Sequence, residues 1–164
     1  ARLSRDELAW LVCIAPPYLL YAPALQSGGV DLSRLLVASA PGRDAAWACE
    51  RSLAADGVGA IVVWLPEVQA APLRRLQLAA EASQSLLFVF RPATCSGQPS
   101  PAPLRLVLEG EGEHLVVHLL KRRGSAQPLP LPIAVQRPLY LRHALARPAS
   151  ALPAARSLPR TAVA

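Results

Sequence analysis

The sequence contains no methionine, only three cysteines and 5% aromatic residues. Without a methionine it does not begin at a start codon, so it is read as opening inside a longer protein. Cys13, Cys49 and Cys95 are odd in number, widely spaced and form no CxxC pair. That usage argues against a disulfide framework or a zinc site and fits a reducing, cytoplasmic compartment. No apolar run reaches the ~18 residues that a membrane span needs, so no membrane partner is expected. Ala1-Arg2-Leu3-Ser4-Arg5-Asp6-Glu7 is charged and helix-like, unlike a secretion signal. Neither a GxxxxGK(S/T) nor a GxGxxG phosphate loop occurs anywhere.

Acidic residues also run out. Residues 1–120 carry 9 basic and 11 acidic side chains, whereas residues 121–164 carry 8 basic and none acidic. The net charge of +6 therefore belongs to the end of the chain. Such an extension attracts nucleic acid or an acidic partner, or serves only as a solvated tail. The 52% hydrophobic content allows a real core, and 164 residues allow one domain and a tail. The boundaries expected are a core over 1–124 and a flexible Pro/Ala/Arg-rich tail over 125–164.

Periodicity organises the core. Trp10 to Ala15 is a short apolar run stopped by Pro16-Pro17, which reads as a buried strand. Tyr18 to Gln26 reads as a short helix ended by Gly28-Gly29, with Pro23 in its first turn or kinking it. Leu35 to Ala38 is a second strand. Asp44 is a candidate cap for a helix running to about Asp56, with Trp47 and Cys49 expected in the core. Ala60 to Leu65 is a third strand. Pro72 suits the first turn of a helix to about Ser83, with Leu73, Leu76 and Ala80 on one face. Leu86 to Phe90 reads as another buried strand. Leu104–Leu108 and Leu115–Leu120 alternate apolar and polar residues, as an antiparallel pair does. Leu129 to Val135 is a candidate edge strand. Beyond Gly124 the periodicity weakens, and seven prolines fall in the last forty residues. Strands alternating with helices, followed by a meander, predict an α/β fold: a mostly parallel sheet with helices on both faces, then an antiparallel hairpin and an extended tail. A fold of this type needs a first strand and first helix, expected ahead of Ala1.

The stretch Tyr21-Ala22…Leu25…Gly29-Val30-Asp31-Leu32-Ser33-Arg34-Leu35-Leu36 resembles the RecA superfamily around its Gly-Val-Asp. The helix at Ala45–Leu53 and the strand Ile61-Val62-Val63 follow at similar spacing. Ile14-Ala15-Pro16-Pro17-Tyr18, Leu73-Arg74-Arg75-Leu76-Gln77-Leu78, Phe90-Arg91-Pro92 and Leu120-Lys121-Arg122-Arg123-Gly124 resemble the ImuA/SulA branch of that superfamily. The likeness covers residues 1–124. The extension ending His143-Ala144-Leu145-Ala146-Arg147-Pro148 is more similar to ImuA, the translesion-synthesis accessory family, than to SulA, the shorter division inhibitors.

Against that resemblance, four positions are degenerate for nucleotide hydrolysis. RecA-type ATPases need a phosphate-cradling loop, a magnesium ligand and a group that positions water. The strand that would end in a magnesium-holding aspartate ends in Trp64. Pro16 and Pro17 stand where the water-activating glutamate belongs, and Arg91 stands at the sensor glutamine. Glu67 is a possible substitute ligand, or simply a solvated loop carboxylate. No enzyme activity, cofactor or metal is therefore expected. His114 and His118 share a strand face but have no cysteine or carboxylate cluster beside them.

Binding is the better expectation. Lys121, Arg122 and Arg123 follow directly on a strand and could reach a partner's phosphates, or merely solvate the strand end. Leu139, Tyr140, Leu141 and Leu145 are candidate anchors for coupled folding on a partner. The resemblance implies a non-catalytic accessory of SOS-induced translesion DNA synthesis. It would act by protein contacts with an ImuB-type polymerase homologue, an error-prone DnaE-type polymerase and RecA, with weak DNA contact through the basic tail. The alternative it implies is a SulA-like cell division inhibitor that binds FtsZ.

Overall fold

The computed structural model describes residue 3 and residues 9–40, 42–111, 114–124 and 129–134. Four strands form a parallel sheet: β1 (Trp10–Ile14), β2 (Leu35–Ala38), β3 (Val58–Trp64) and β4 (Leu86–Phe90), in the spatial order β2-β1-β3-β4. A second, antiparallel sheet holds β5 (Arg105–Glu111), β6 (His114–Lys121) and β7 (Leu131–Ala134) in that order. Among the described residues the complete helices are α1 (Ala22–Ser27), α2 (Arg43–Leu53) and α3 (Ala70–Ala82). The α/β class read from the sequence holds, and the candidate edge strand near residue 130 is present as β7. Pro132 lies within β7, where an edge position spares it a ladder donor.

The register explains the core. Val12 and Ile14 of β1 pair with Ile61 and Val63 of β3. Strand side chains alternate between faces, so these four lie on one side of the sheet. There they meet Ala45, Ala46, Cys49 and Leu53 of α2 and Leu76 of α3. Ile14, Ile61 and Val63 are completely sealed from solvent. Burial also disfavours charge on the Cys49 thiol, whose pKa is pushed up to about 12 by desolvation and, secondarily, by Glu50. Cys13, on the opposite face of β1, is shifted upward by burial as well.

Several local readings need correction. The first helix does not begin at Tyr18. Tyr21 is extended and stands at the N-cap, and Pro23 occupies the second helical position. A proline ring clashes with the carbonyl four residues back, so the helix cannot extend further toward Pro17. Asp44 lies inside the first turn of α2 and does not cap it. Gly42 does, at φ 52° with no side-chain hydrogen bond. Trp47 is 60% exposed rather than core, with the Arg51 guanidinium 5.6 Å from its ring centroid. β4 is buried on one face only. Leu87 and Val89 face the helices, while Leu86, Phe88 and Phe90 are exposed on the other side. Among the described residues it is an edge strand, so an unbroken apolar run does not there mean two covered faces.

Asp31, part of the Gly-Val-Asp segment, has a local task. Its carboxylate accepts from the Ser33 hydroxyl at 2.7 Å and the Ser33 amide at 2.9 Å, and both bonds lower its pKa. It thereby caps the single 3-10 turn at Leu32–Arg34 that feeds β2.

Shortening Ile61 to alanine should cost about 2–5 kcal/mol, since the cavity opens inside a sealed cluster. Chemical denaturation would measure this, with exposed Leu78→Ala as a near-neutral control. The Cys49 shift sets a pH window. A thiol with a raised folded pKa contributes stability that is fully present below its unfolded pKa and lost as pH rises toward about 12. Urea melts at increasing pH above about 9 should show that loss, and Cys49→Ala should flatten it.

Candidate functional site at the carboxyl ends of the parallel strands

In open parallel sheets ligands bind beyond the carboxyl ends of the strands, where the connections leave a crevice. Here the strands end almost level, because Ile14 pairs with Ala38 and Val63, and Trp64 with Phe90. The segments that follow them line a cavity of about 660 Å3, including Ala15, Pro17, Ala40, Gly42, Trp64, Glu67, Phe90 and Arg91. Three of the four positions expected to be degenerate, Pro17, Trp64 and Arg91, therefore meet at one site. Pro16 adjoins it through Pro17.

Each wall has a local cause. Ala15 carries a positive φ of 53°, and its amide donates to the Ala38 carbonyl at 2.8 Å. That left-handed residue turns the chain sharply out of β1 before the two prolines fix its direction. Trp64 and Phe90, cross-strand neighbours at the end of the sheet, stack with centroids 5.4 Å apart and planes 15° from parallel. Arg91 Nη2 donates to the Gln98 side chain at 2.9 Å, which ties the strand end to the loop after it. Its Nε is buried without a hydrogen-bond partner in the described structure.

The donor set is poor for phosphate chemistry. Glu67 is exposed and is the sole carboxylate of the lining. Among the described residues no three His, Cys, Asp or Glu side chains gather as a metal would require. What the crevice offers is an aromatic wall, one guanidinium and rigid proline. His118 lies elsewhere, on β6, with Nε2 3.3 Å from Glu109 Oε2 but without hydrogen-bond alignment. His114 pairs with Glu111 and Ala134 on the same antiparallel sheet.

The basic cluster does not join this site. Lys121 ends β6 and donates from Nζ to the Ser100 carbonyl at 3.1 Å. Arg105, its register partner, donates to the Cys95 and Ser96 carbonyls at 3.4 and 2.8 Å. Together they clamp the 93–103 loop onto the hairpin. Arg122 and Arg123 are exposed just beyond. Leu139, Tyr140, Leu141 and Leu145 lie outside the described residues.

One feature beside the crevice was not singled out from the sequence. Directly after Pro16-Pro17, Tyr18 is 84% and Leu19 99% exposed, with Tyr21 also exposed. Reading Tyr18 onward as helix obscured it; the stop signal of the two prolines already pointed to a projecting loop.

No family model matches the chain. A cell division inhibitor SulA of Photorhabdus laumondii is 30% identical over 105 residues, which are 63% of this chain and 59% of that protein. The chain thus spans less than two thirds of that relative's length. The crystal structure of SulA from Pseudomonas aeruginosa is 27% identical, with a TM-score of 0.47, over 55% of this chain and 77% of that one. The sequence likeness supports the SulA-like superfamily.

The Trp64–Phe90 stack should carry a coupling of about 0.5–1.5 kcal/mol beyond simple burial. A double-mutant cycle with alanine at both positions, read by denaturant unfolding, tests this; additive single-mutant losses would refute it.

Proposed function

We propose that this protein is a SulA-like inhibitor of cell division that acts by protein contact and without catalysis. The observation that carries the reading is the 30% identity to a division inhibitor SulA. The crevice agrees with it. Where nucleotide chemistry needs carboxylates, this chain presents Trp64 stacked on Phe90 and two prolines. A preformed surface of aromatic and aliphatic groups suits protein recognition, because few rotors are frozen on contact. Tyr18 and Leu19 would be its anchors, projecting from a proline-stiffened loop. On this reading FtsZ is the target, as the SulA-like resemblance implies.

A second reading keeps the ImuA-type role, an accessory of SOS mutagenesis that contacts an ImuB-type polymerase homologue, a DnaE-type polymerase and RecA. One observation favours it: residues 121–164 hold 8 basic and no acidic side chains, an extension more like ImuA than SulA.

The two readings separate in one set of measurements. The natural-length protein should suppress FtsZ polymerisation in a sedimentation assay, and Tyr18→Ala or Leu19→Ala should weaken binding by about 1 kcal/mol or more while leaving circular dichroism intact. Unaltered FtsZ assembly together with capture of an ImuB-type protein would transfer the assignment to the second reading. DNA-stimulated ATP turnover that disappears in Glu67→Gln would overturn both.

A further inference from the structure

Arg91 is the one cation lining the crevice among the described residues. The fold fixes it from both sides. Phe90 before it pairs with Trp64 at the end of the sheet, and Pro92 after it locks its own backbone angle. The side chain is held as well, since Nη2 donates to Gln98 at 2.9 Å. Gln98 is neutral, so that bond orients the guanidinium without balancing its charge. No carboxylate among the described residues forms an ion pair with Arg91, not even Glu67 of the same rim. The Nε edge is buried with no hydrogen-bond partner. The result is a half-buried, oriented and uncompensated cation in the wall of a cavity of about 660 Å3.

Resting on the reading that this rim meets a protein partner, we propose that the crevice receives an acidic side chain carried on an apolar segment of that partner. Arg91 binds the carboxylate. Trp64, Phe90 and the prolines Pro17, Pro66 and Pro92 pack against the apolar residues beside it. The donor set selects the ligand. The planar fork of a guanidinium matches the two oxygens of a carboxylate, and their single charges balance. A phosphate group needs more donors than one arginine offers, and Glu67 on the same rim repels its extra charge. A small free acid would leave most of the apolar wall uncovered, whereas a peptide segment covers it.

Pairing is stronger here than in open solvent, where water screens both charges. One edge of Arg91 is already out of water, so less solvent is stripped when a carboxylate arrives. The bond to Gln98 and the proline-bounded rim set the geometry in advance, which lowers the entropy lost on binding. A neutral side chain in place of the acid would cover the guanidinium without a counter-ion, and that is strongly unfavourable. Arg91 therefore sets specificity. Tyr18 and Leu19, exposed directly after Pro17, supply apolar contact beside it.

Two capped peptides test this on the natural-length protein, acetyl-Leu-Glu-Leu-amide and acetyl-Leu-Gln-Leu-amide. Nuclear magnetic resonance follows the Arg91 Nε–H and the Trp64 indole N–H during titration. The glutamate peptide should shift both signals saturably and bind roughly tenfold or more tightly than the glutamine peptide. Added salt should narrow that difference. Arg91→Gln should abolish the discrimination and Arg91→Lys should reduce it, while Gln98→Ala, which frees the loop but spares the guanidinium, should keep most of it. Equal binding of the two peptides overturns the proposal, as does the absence of a saturable shift with either. So does discrimination that persists in Arg91→Gln. These measurements need no FtsZ. A selective response to the glutamate peptide with no effect on FtsZ assembly would sink the division-inhibitor reading and leave the carboxylate site standing. Inhibition of FtsZ assembly without peptide discrimination would do the reverse.

Discussion

Val12 and Ile14 lie beside Ile61 and Val63, and the four are closed over by α2 and α3. Almost everything else in the described structure depends on that contact. Burying a Val or Ile side chain fully contributes about 1.5–3 kcal/mol, so this cluster outweighs any surface ion pair among the described residues. The one between Arg75 and Glu50 joins α3 to α2 at 3.5 Å but stands in solvent, where such pairs contribute about 0–1 kcal/mol. The cluster also fixes register. Slipping β3 by one residue would turn Ile61 and Val63 to the open face and Ala60 and Val62 inward.

Fixing register fixes the crevice. Once Val63 pairs with Ile14, the residues that follow each strand must fall on one rim. The chemistry of that rim then depends on which side chains stand at positions 15–17, 64–67 and 90–92. Local contacts then trim their positions, as the bonds from Ala15 to Ala38 and from Arg91 to Gln98 do. The sheet supplies the geometry, and substitution at its ends changes function without disturbing the core. A scaffold can therefore lose hydrolytic groups and keep its fold, since those groups sit outside the apolar contact that holds it together.

Much of this was legible in the sequence. β1, β2, β3, α3 and the β5–β6 hairpin come directly from period and punctuation, because one buried face writes a regular pattern. The meeting of Pro17, Trp64 and Arg91 was also foreseeable, since each follows or ends a parallel strand. Other features were not legible. Trp47 reads as core by composition, yet its face of α2 points away from the sheet. β4 reads as doubly buried, because Leu-Leu-Phe-Val-Phe carries no sign of which face a neighbour covers. Lys121 reads as a free cation, but its hydrogen bond to Ser100 depends on where a loop twenty-one residues earlier comes to rest. Sequence pattern reports periodicity along one element and is silent on what lies across from it.

The aromatic pair at the end of β3 and β4 makes the crevice a poor place for an unpaired carboxylate. An aspartate in place of Trp64 would sit against Phe90 and the apolar strand ends, where an unpaired carboxylate is costly and its pKa rises. A bound cation would have to offset that cost, and the lining holds no second carboxylate except exposed Glu67. Trp64 removes the demand altogether. Its ring stacks on Phe90 and fills the position with contacts that stabilise the sheet end instead of straining it. A hydrolase must keep its site partly unsatisfied until substrate arrives. Here Trp64 and Phe90 pack against each other at the strand ends. A rim held in one conformation loses little entropy on meeting a partner. On the proposed reading, the aromatic pair at this sheet end gives a surface suited to standing recognition.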